Sequence, residues 1–420
     1  MIEERTVRGA LLVALTLGVA TGCDQLLDVE LPTRVPESVL ADPALAPMLV
    51  QGAVADFECA FAHYVVAIGL VTDELYSATT GTVNGWDLRQ AFESGGSLGC
   101  VPGDPVNLAV YVPLATARFQ ADDAFKRIER FSEIQVPERA TLLATAAAYA
   151  GYSYVLFGEG FCEAAFDEGP ALEWREVLAL AEERFATALE WAQRAGADSI
   201  VDLAHAGRAR VRLSLGRLAE AAEDARVVRQ GFVKHATYSS ASPRRKNRVY
   251  EFNQFERVVS VDPRFRNLTV EGVADSRVSV TNAQRTGRDG LTPLWLQMKY
   301  PTESSPIVMA SWDEAQLIIA EAEGGQVAVN RINALRAQTT PLLPVFASND
   351  PDSIDTQVRV ERQRELFLEG HRLNDMLRFG SDFDTINHKG VQMGSMTCLQ
   401  LPSVERDNNP NIRRAARTTR

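Results

Sequence analysis

The residues with the clearest potential for ligand binding are four aromatic side chains. Trp86 lies in TTGTVNGWDLRQ, where small polar neighbours predict a loop and an exposed indole. Trp295 and Tyr300 lie in PLWLQMKY, and Tyr76 completes the set. Flat aromatic faces can stack on sugar rings while a polar group hydrogen-bonds a neighbouring hydroxyl, so we take these four as candidate ligand-binding residues. The alternative is that these four aromatic residues are ordinary members of the hydrophobic core.

The pattern of titratable residues argues against an enzyme. None of the five histidines belongs to an HExxH motif, and the chain contains no GxSxG, Walker or GxGxxG motif. Adjacent carboxylates such as Asp73 and Glu74 are the one feature that favours a polysaccharide-degrading enzyme, but a sequence does not show the separation that a glycosidase needs. We therefore predict no catalytic residues, no cofactor and no metal site.

The N-terminal segment has the layout of a secretory signal. Two arginines precede an apolar run that ends at Ala20, and small residues then lead to Cys23. A cysteine directly after the cleavage region resembles a bacterial lipobox, so we predict a signal peptide over residues 1–22 and a lipid anchor on Cys23. Two acidic residues near the start, and Ala20 where leucine is usual, depart from that pattern, and simple secretion is the alternative. No other stretch is predicted to span a bilayer.

Four cysteines remain if Cys23 is acylated: Cys59, Cys100, Cys162 and Cys398. An even number in an exported chain suggests two disulfides, and three pairings are open. Pairing of nearest neighbours favours Cys59 with Cys100, which leaves Cys162 for Cys398. Buried free thiols are the alternative.

Composition describes a globular protein with a substantial core. The 420 residues are 46% hydrophobic and 23% charged, enough for one large or two ordinary domains. The formal net charge of −12 at pH 7 argues against nucleic acid as a partner.

Helical periodicity dominates from about 107 to 230 and again from about 309 to 380. Small residues at the predicted helix crossings and a break at Gly216 resemble tetratricopeptide helix pairs. Between them, from about 232 to 306, Gly, Pro, Asn and short β-prone runs predict an irregular insert with short strands. The C-terminal tail is turn-rich. The predicted helical segments are 107–131, 138–161, 173–196, 199–228 and 309–338.

The segment VERQRELFLEGHRLNDMLRFG, residues 360–380, is predicted as a single charged helix. Its apolar residues and Gly370 share one face, and opposite charges recur three residues apart, for example Asp375 with Arg378. Glycine inside a helix costs about 1 kcal/mol relative to alanine. We therefore expect Gly370 to allow close approach of another backbone.

Taken in order, these segments resemble the SusD/RagB family of outer-membrane nutrient-binding lipoproteins. The resemblance covers most of residues 23–412, and its most specific part is the succession of DEAQLIIAEAE with VNRINALRAQ, the charged segment 360–380, and LPSVERDNNPNI. It implies a mainly α fold in which tetratricopeptide-like helix pairs form a scaffold and an irregular, loop-rich subdomain presents the ligand surface. Residues 23–420 would form a single SusD-like domain.

The same resemblance implies a function. It describes a non-catalytic lipoprotein on the cell surface, anchored to outer-membrane lipid, that captures an oligosaccharide or other polymeric nutrient and hands it to a SusC-like TonB-dependent transporter barrel. Aromatics make up only 8% of the chain, so a peptide or another polar polymer is an alternative ligand. The competing function is a helical-repeat envelope lipoprotein that scaffolds a complex and binds no nutrient.

Overall fold

The computed structural model describes residues 37, 39–90, 100 and 108–412. The chain divides into two units, Met1–Leu45 and Ala46–Arg420. In the first unit the described part contains two 3-10 turns, Val39–Ala41 and Pro43–Leu45. The predicted signal peptide and Cys23 lie outside the described residues. All elements named below belong to the second unit.

Helices make up most of the second unit, and the prediction of a mainly α fold with short strands is confirmed. The helices of six or more residues are α1 (Ala46–Val71), α2 (Thr82–Asp87), α3 (Tyr111–Ile128), α4 (Arg139–Gly160), α5 (Trp174–Ala195), α6 (Asp198–Ser214), α7 (Leu218–Val227), α8 (Trp312–Glu323), α9 (Gly325–Arg336), α10 (Pro351–Glu365), α11 (Arg372–Phe379) and α12 (Ser403–Asn408).

The longest helix, α1, is absent from the helical segments that periodicity predicted. It buries 18 of its 26 residues, including every residue from Phe57 to Val71. A helix that is apolar on all sides has no amphipathic period, which is why the pattern missed it. The segment Pro43–Val71 and helix α4 are each long and apolar enough to cross a membrane, so the expectation that no such stretch exists is wrong. In both, 83% of the most apolar window is buried inside the fold, as in core helices.

Successive helices pack side by side and form the scaffold. Contacts join α3 with α4, α4 with α5, α5 with α6, α6 with α7, and α8 with α9. Small residues allow the close crossings: a Cβ built on Gly151 or Gly207 would lie 2.8 or 2.3 Å from the Phe185 ring. Gly216, with φ of +76°, lies in the turn between α6 and α7. These are the helix pairs and the break that the sequence predicted.

The short strands form two-stranded antiparallel sheets. The pairs are β1 (Leu75–Ser77) with β5 (Val259–Val261), β2 (Glu163–Ala164) with β3 (Leu172–Glu173), β4 (Val233–Ala236) with β10 (Ile307–Ser311), β6 (Thr269–Val270) with β7 (Val273–Ala274), and β8 (Val280–Thr286) with β9 (Pro293–Gln297). Most belong to the predicted insert. Strand β1 comes from far earlier in the chain, and its pairing with β5 brings Tyr76 opposite Ser260. This pairing positions the candidate site.

The prediction of one helix over residues 360–380 is wrong. Helix α10 ends at Glu365 and α11 begins at Arg372. In the turn between them, Leu368 has φ of +55° and Gly370 has φ of +81°, values that a helix does not contain. A Cβ on Gly370 would lie 3.2 Å from two ring atoms of Tyr64 in α1. The close approach expected at this glycine therefore exists, but it is to a side chain and occurs in a turn.

Groups from distant parts of the chain bind the backbone of this turn. The Lys299 ammonium donates to the carbonyls of Glu365 and Phe367 at 3.1 and 3.0 Å. The Glu74 carboxylate accepts the N–H of Leu368 at 2.8 Å. These contacts satisfy backbone groups that would otherwise lose their partners at the end of α10. The helix ends here because tertiary contacts replace its internal hydrogen bonds.

The charges of segment 360–380 mostly pair with other elements. Of the opposite charges three residues apart, Asp375 with Arg378 at 2.8 Å is the pair that forms among the described residues. The ion pairs to distant elements include Glu361 with Arg277 and Arg336, Glu369 with Lys299, and Arg372 with Asp73. Breaking one partner of a buried pair is costly because it leaves the other charge unpaired. The segment therefore connects the scaffold to the irregular part.

Candidate functional site

The structure brings together two of the four predicted ligand-binding aromatics, Tyr76 and Trp295. Tyr76 lies on β1 and Trp295 on β9, and Ser260 of β5 connects them. The Ser260 hydroxyl accepts the N–H of Trp295 at 2.9 Å and donates to the carbonyl of Pro293 at 2.9 Å. The Tyr76 hydroxyl donates to the same carbonyl at 3.2 Å. The central strand therefore sets the spacing of the two aromatic side chains.

Arg266 lies between the two rings. Its guanidinium carbon is 5.6 Å from the Tyr76 ring centroid and 4.8 Å from the Trp295 ring centroid. Nη2 donates to the Tyr76 hydroxyl at 3.0 Å, and both Nε and Nη2 donate to the carbonyl of Val261 at 3.0 and 2.7 Å. A guanidinium over an aromatic ring contributes about 0.5–2 kcal/mol, depending on its exposure. The backbone contact orients the side chain, and the half-buried Trp295 packs against it.

His388 joins this group from the loop that follows α11. Its ring packs edge-on against Tyr76 with the centroids 5.2 Å apart. Its Nε2 lies 2.6 Å from the Asp262 carboxylate. The His388 side chain is 34% exposed and Tyr76 is 6% exposed, so the group reaches from the core to the surface. We call Tyr76, Arg266, Trp295 and His388 the aromatic cluster.

The loop that carries His388 is held by polar contacts on both sides. The Asn387 amide donates to the Asp87 carboxylate at 3.3 Å, and the Lys389 ammonium donates to Asp289 at 3.0 Å. Burial raises the pKa of Asp87 to about 6, against the opposing effect of the hydrogen bond from Asn387. Because this pKa lies above the ordinary value, the folded chain holds the Asp87 proton more tightly than the unfolded chain, and the stability from this group is lost as the pH rises through about 6.

Trp86 and Tyr300 are core residues. Trp86 is 3% exposed and belongs to α2, so the predictions of a loop and of an exposed indole are both wrong. Its small polar neighbours do not bury it, but apolar residues distant in sequence do. Tyr300 is 2% exposed, and its hydroxyl donates to the carbonyl of Leu368 at 3.0 Å. Burial raises the pKa of Tyr300 well above its usual value. Its position supports the turn between α10 and α11.

Sequence reasoning missed Arg266 and His388. No motif surrounds either residue, and Arg266 is one of many arginines in an irregular segment. The signal that could have found them is spatial, because β1, β5, β9 and the loop after α11 meet only in the fold. None of the four predicted aromatics lines the cavities of about 540 and 370 Å³ in the described part of the chain.

Two disulfides tie distant parts of the chain together. Cys59 is joined to Cys100, and Cys162 is joined to Cys398, which is the pairing that sequence order favoured. His63 lies close to the first bridge, and its ring nitrogen and the two sulfurs fall within 4.8 Å of one another. Metal binding by cysteine requires thiolates, and the sulfurs of a disulfide are not thiolates. These three residues therefore do not fit a metal centre in the oxidised chain.

In this fold, helix pairs form a scaffold for an irregular part that contains short strands. Solved structures of the SusD superfamily share this fold. A SusD-like carbohydrate binding protein from Bacteroides vulgatus is 14% identical with a TM-score of 0.66, covering 89% of this chain and 98% of that one. A SusD homolog from Bacteroides thetaiotaomicron is 16% identical with a TM-score of 0.65, covering 90% and 98%. A laminarin binding SusD-like protein is 14% identical with a TM-score of 0.66, covering 87% and 98%. At these identities the likeness shows the fold.

The family is indicated by the C-terminal region. Residues 314–415 match the model of the SusD family, and they include the turn between α10 and α11 with its ion pairs. No curated protein matches the chain. This match over residues 314–415 and the shared fold confirm the resemblance to the SusD/RagB family that the sequence predicted.

Proposed function

We propose that this protein is a cell-surface lipoprotein that binds an oligosaccharide and passes it to a SusC-like TonB-dependent outer-membrane transporter. The observation that carries the proposal is the aromatic cluster, in which a half-buried indole, a guanidinium and a part-exposed imidazole lie side by side. Two solved proteins with the same fold are named for carbohydrate or laminarin binding, which supports the same class of ligand.

The cluster has the chemistry that sugar binding needs. An indole offers a flat apolar surface for the C–H face of a sugar ring. Arg266 supplies N–H donors, and His388 with its partner Asp262 supplies polar groups for hydroxyls. Hydrogen bonds to Val261 and Ser260 hold Arg266 and the backbone of Trp295 in place. Such preorganisation reduces the entropy lost on binding.

The proposal extends to the membrane anchor. Residues 1–22 would direct export, and acylated Cys23 would attach the mature chain to the outer membrane with its ligand surface outside the cell. The support is the apolar run followed by small residues and a cysteine. The protein would bind its ligand without transforming it, since the sequence contains none of the catalytic motifs searched for. Transport through the barrel is the transporter's task.

A glycan array probed with the mature chain, followed by titration of the best glycan, tests the ligand class. Trp295→Ala is expected to weaken binding by roughly 30-fold, the loss that about 2 kcal/mol at an aromatic hot spot produces. Trp191→Ala is the matched control, because Trp191 is a half-buried scaffold indole flanked by Arg139 and Arg194 at 4.8 and 4.7 Å. It should bind as the wild type does.

Two results would contradict the proposal. If Trp295→Ala binds as tightly as the control, the aromatic cluster is not the ligand site. If no glycan binds but a peptide array gives saturable binding, the ligand class is wrong.

Delivery is tested separately by co-purification with a TonB-dependent barrel. A lipoprotein that only scaffolds a complex would bind neither array.

A further inference from the structure

A cavity of about 540 Å³ lies in the helical scaffold, and none of the aromatic-cluster residues lines it. It is bounded by the C-terminal ends of α4 and α6, the N-terminal end of α5, and α11. The Cys162–Cys398 disulfide forms part of its wall. Ligand cavities typically measure about 300–1,000 Å³ and are mainly apolar with a few polar groups. This cavity fits that description, because glycine, leucine and aromatic residues line it together with a few polar side chains.

Trp174 and Arg175 form one wall of the cavity. The guanidinium carbon of Arg175 lies 4.2 Å from the centroid of the half-buried Trp174 ring. Arg175 is exposed, and it forms no ion pair with any described residue. The nearby Glu173 and Glu176 form the capping box of α5, in which each carboxylate accepts a backbone N–H. Arg175 is therefore an oriented cation whose donors are available to a ligand.

Arg378 lines the same cavity from α11. Its Nε and Nη2 donate to Glu321 at 2.7 and 2.9 Å, and Nη2 also donates to Asp375 at 2.8 Å. Its Nη1 is buried and has no acceptor within the described part of the chain. The Arg378 guanidinium is held in the cavity wall by Glu321 and Asp375, and these two carboxylates balance its charge.

Three other polar side chains that line the cavity, Glu159, Ser214 and Asn374, are hydrogen-bonded within the protein. The Glu159 carboxylate accepts one bifurcated hydrogen bond from the Nε–H of buried Arg210, with both oxygens at 3.0 Å, and a second hydrogen bond from Nη2 of the same side chain. It also accepts from the Ser214 hydroxyl at 3.1 Å and from the Asn374 amide at 3.2 Å. Because Glu159 is fully paired, it does not repel an anion. The hydroxyl and amide give the floor of the cavity a polar character without net charge.

We propose that this cavity is a second binding site, for a small ligand that carries a carboxylate, such as a single uronic acid. Arg175 would bind the carboxylate, for which a guanidinium has matching geometry. Trp174 and the apolar wall would cover the ligand's ring, and Ser214 and Asn374 would face its hydroxyls. The site is separate from the aromatic cluster and does not depend on the proposed function.

The test uses the whole mature chain labelled with 5-fluorotryptophan, so that each indole reports by fluorine NMR. Trp174→Phe assigns the Trp174 signal. D-glucuronate is expected to move that signal saturably and to leave the Trp295 signal unchanged, while D-glucose, which lacks the carboxylate, binds at least tenfold more weakly. Arg175→Gln should weaken glucuronate binding about tenfold, as the loss of a charge-assisted hydrogen bond does.

Arg194→Gln is the matched control. Arg194 lies on the same helix and stacks on Trp191 at 4.7 Å, but it does not line the cavity. It should leave glucuronate binding unchanged. The proposal is overturned if glucuronate at about 50 mM, a concentration that reveals millimolar affinity, fails to move the Trp174 signal. It is also overturned if glucose binds equally well, or if both arginine variants lose binding equally.

Discussion

The Glu74 carboxyl is buried beside the turn between α10 and α11, and its proton should control the stability of that turn. One carboxyl oxygen accepts the N–H of Leu368 at 2.8 Å, and the other is buried with no partner among the described residues. Burial raises the pKa of Glu74 to about 8. The hydrogen bond from Leu368 opposes this rise, as do Arg372 and Lys299, whereas Asp73 adds to it. The carboxyl is therefore largely protonated at neutral pH.

The contribution of Glu74 to the free energy of unfolding follows from this pKa. Because the pKa in the fold lies above the ordinary value of 4.5, the folded protein holds the proton more tightly than the unfolded chain. The stability from this group is fully present below pH 4.5 and is lost as the pH rises through about 8. At about 1.4 kcal/mol per pH unit, that window corresponds to roughly 5 kcal/mol. About 3 kcal/mol of it falls between pH 5.5 and 8.5.

Glu74→Gln removes this ionisation and keeps the oxygen that accepts the N–H of Leu368. At pH 5.5 the variant should be more stable than the wild type by about 1.4 kcal/mol, because folded Glu74 is neutral there whereas the unfolded chain, with a pKa of 4.5, is ionised. At pH 8.5 its advantage over the wild type should be about 3 kcal/mol larger than at pH 5.5, because the folded wild type then also carries a buried charge. The quantity to measure is the free energy of unfolding in urea at both pH values.

A second variant shows whether the effect belongs to the buried site. Glu183→Gln removes an exposed carboxylate from α5 and should follow the pH profile of the wild type. Other groups that titrate in this range are present in all three proteins, so they cancel in the comparison. If the free energies of unfolding of Glu74→Gln and the wild type change in parallel from pH 5.5 to 8.5, the pKa of Glu74 is not raised in the folded protein and the reasoning is refuted.

Three further predictions concern the core, the turn and the anchor. Trp86→Ala should lower the free energy of unfolding by about 3–5 kcal/mol, as for a core aromatic, and a loss of ligand affinity without a loss of stability would contradict this. Gly370→Leu should cost about 1–3 kcal/mol more than Gly380→Leu in thermal unfolding, because both glycines have positive φ but only the first lies against Tyr64. Cys23→Ala should move the protein from the membrane to the soluble fraction, and unchanged membrane binding would disprove acylation.

The candidate site was only partly visible in the sequence. Tyr76 and Trp295 were selected because aromatic side chains in polar or irregular segments often bind ligands, and the fold does place them together. Trp86 was selected for the same reason and lies in the core. Local polarity could not separate these cases, because Trp86 belongs to the main hydrophobic cluster, and its helix α2 packs against α1 and β1 only in the folded chain. Arg266, which connects the pair, has no sequence signal at all.

The sequence by itself determined the elements whose cause is local. Helices α3 and α5 to α7 lie where the predicted helical segments lie, because each has one apolar face and the period of that face is set by the backbone. Helix α4 also lies where it was predicted, although all its residues from Ala146 to Gly160 are buried. The break at Gly216 is equally local, since its φ of +76° suits glycine. Helix α1 was not predicted: its residues from Phe57 to Val71 are buried on all sides, so this stretch has no polar face and no periodic pattern.

Only the tertiary structure decided where the charged segment 360–380 stops being helical and which aromatics reach the surface. Each residue of that segment is compatible with a helix, yet Glu74, 294 residues away from Leu368, binds its N–H and Lys299 binds two carbonyls nearby. A backbone N–H or carbonyl can form its hydrogen bond within a helix or with a side chain from a distant part of the chain. The spacing of residues in the sequence predicts only the hydrogen bonds within a helix. The burial of a side chain also depends on the tertiary structure, because the residues that cover it come from other parts of the chain.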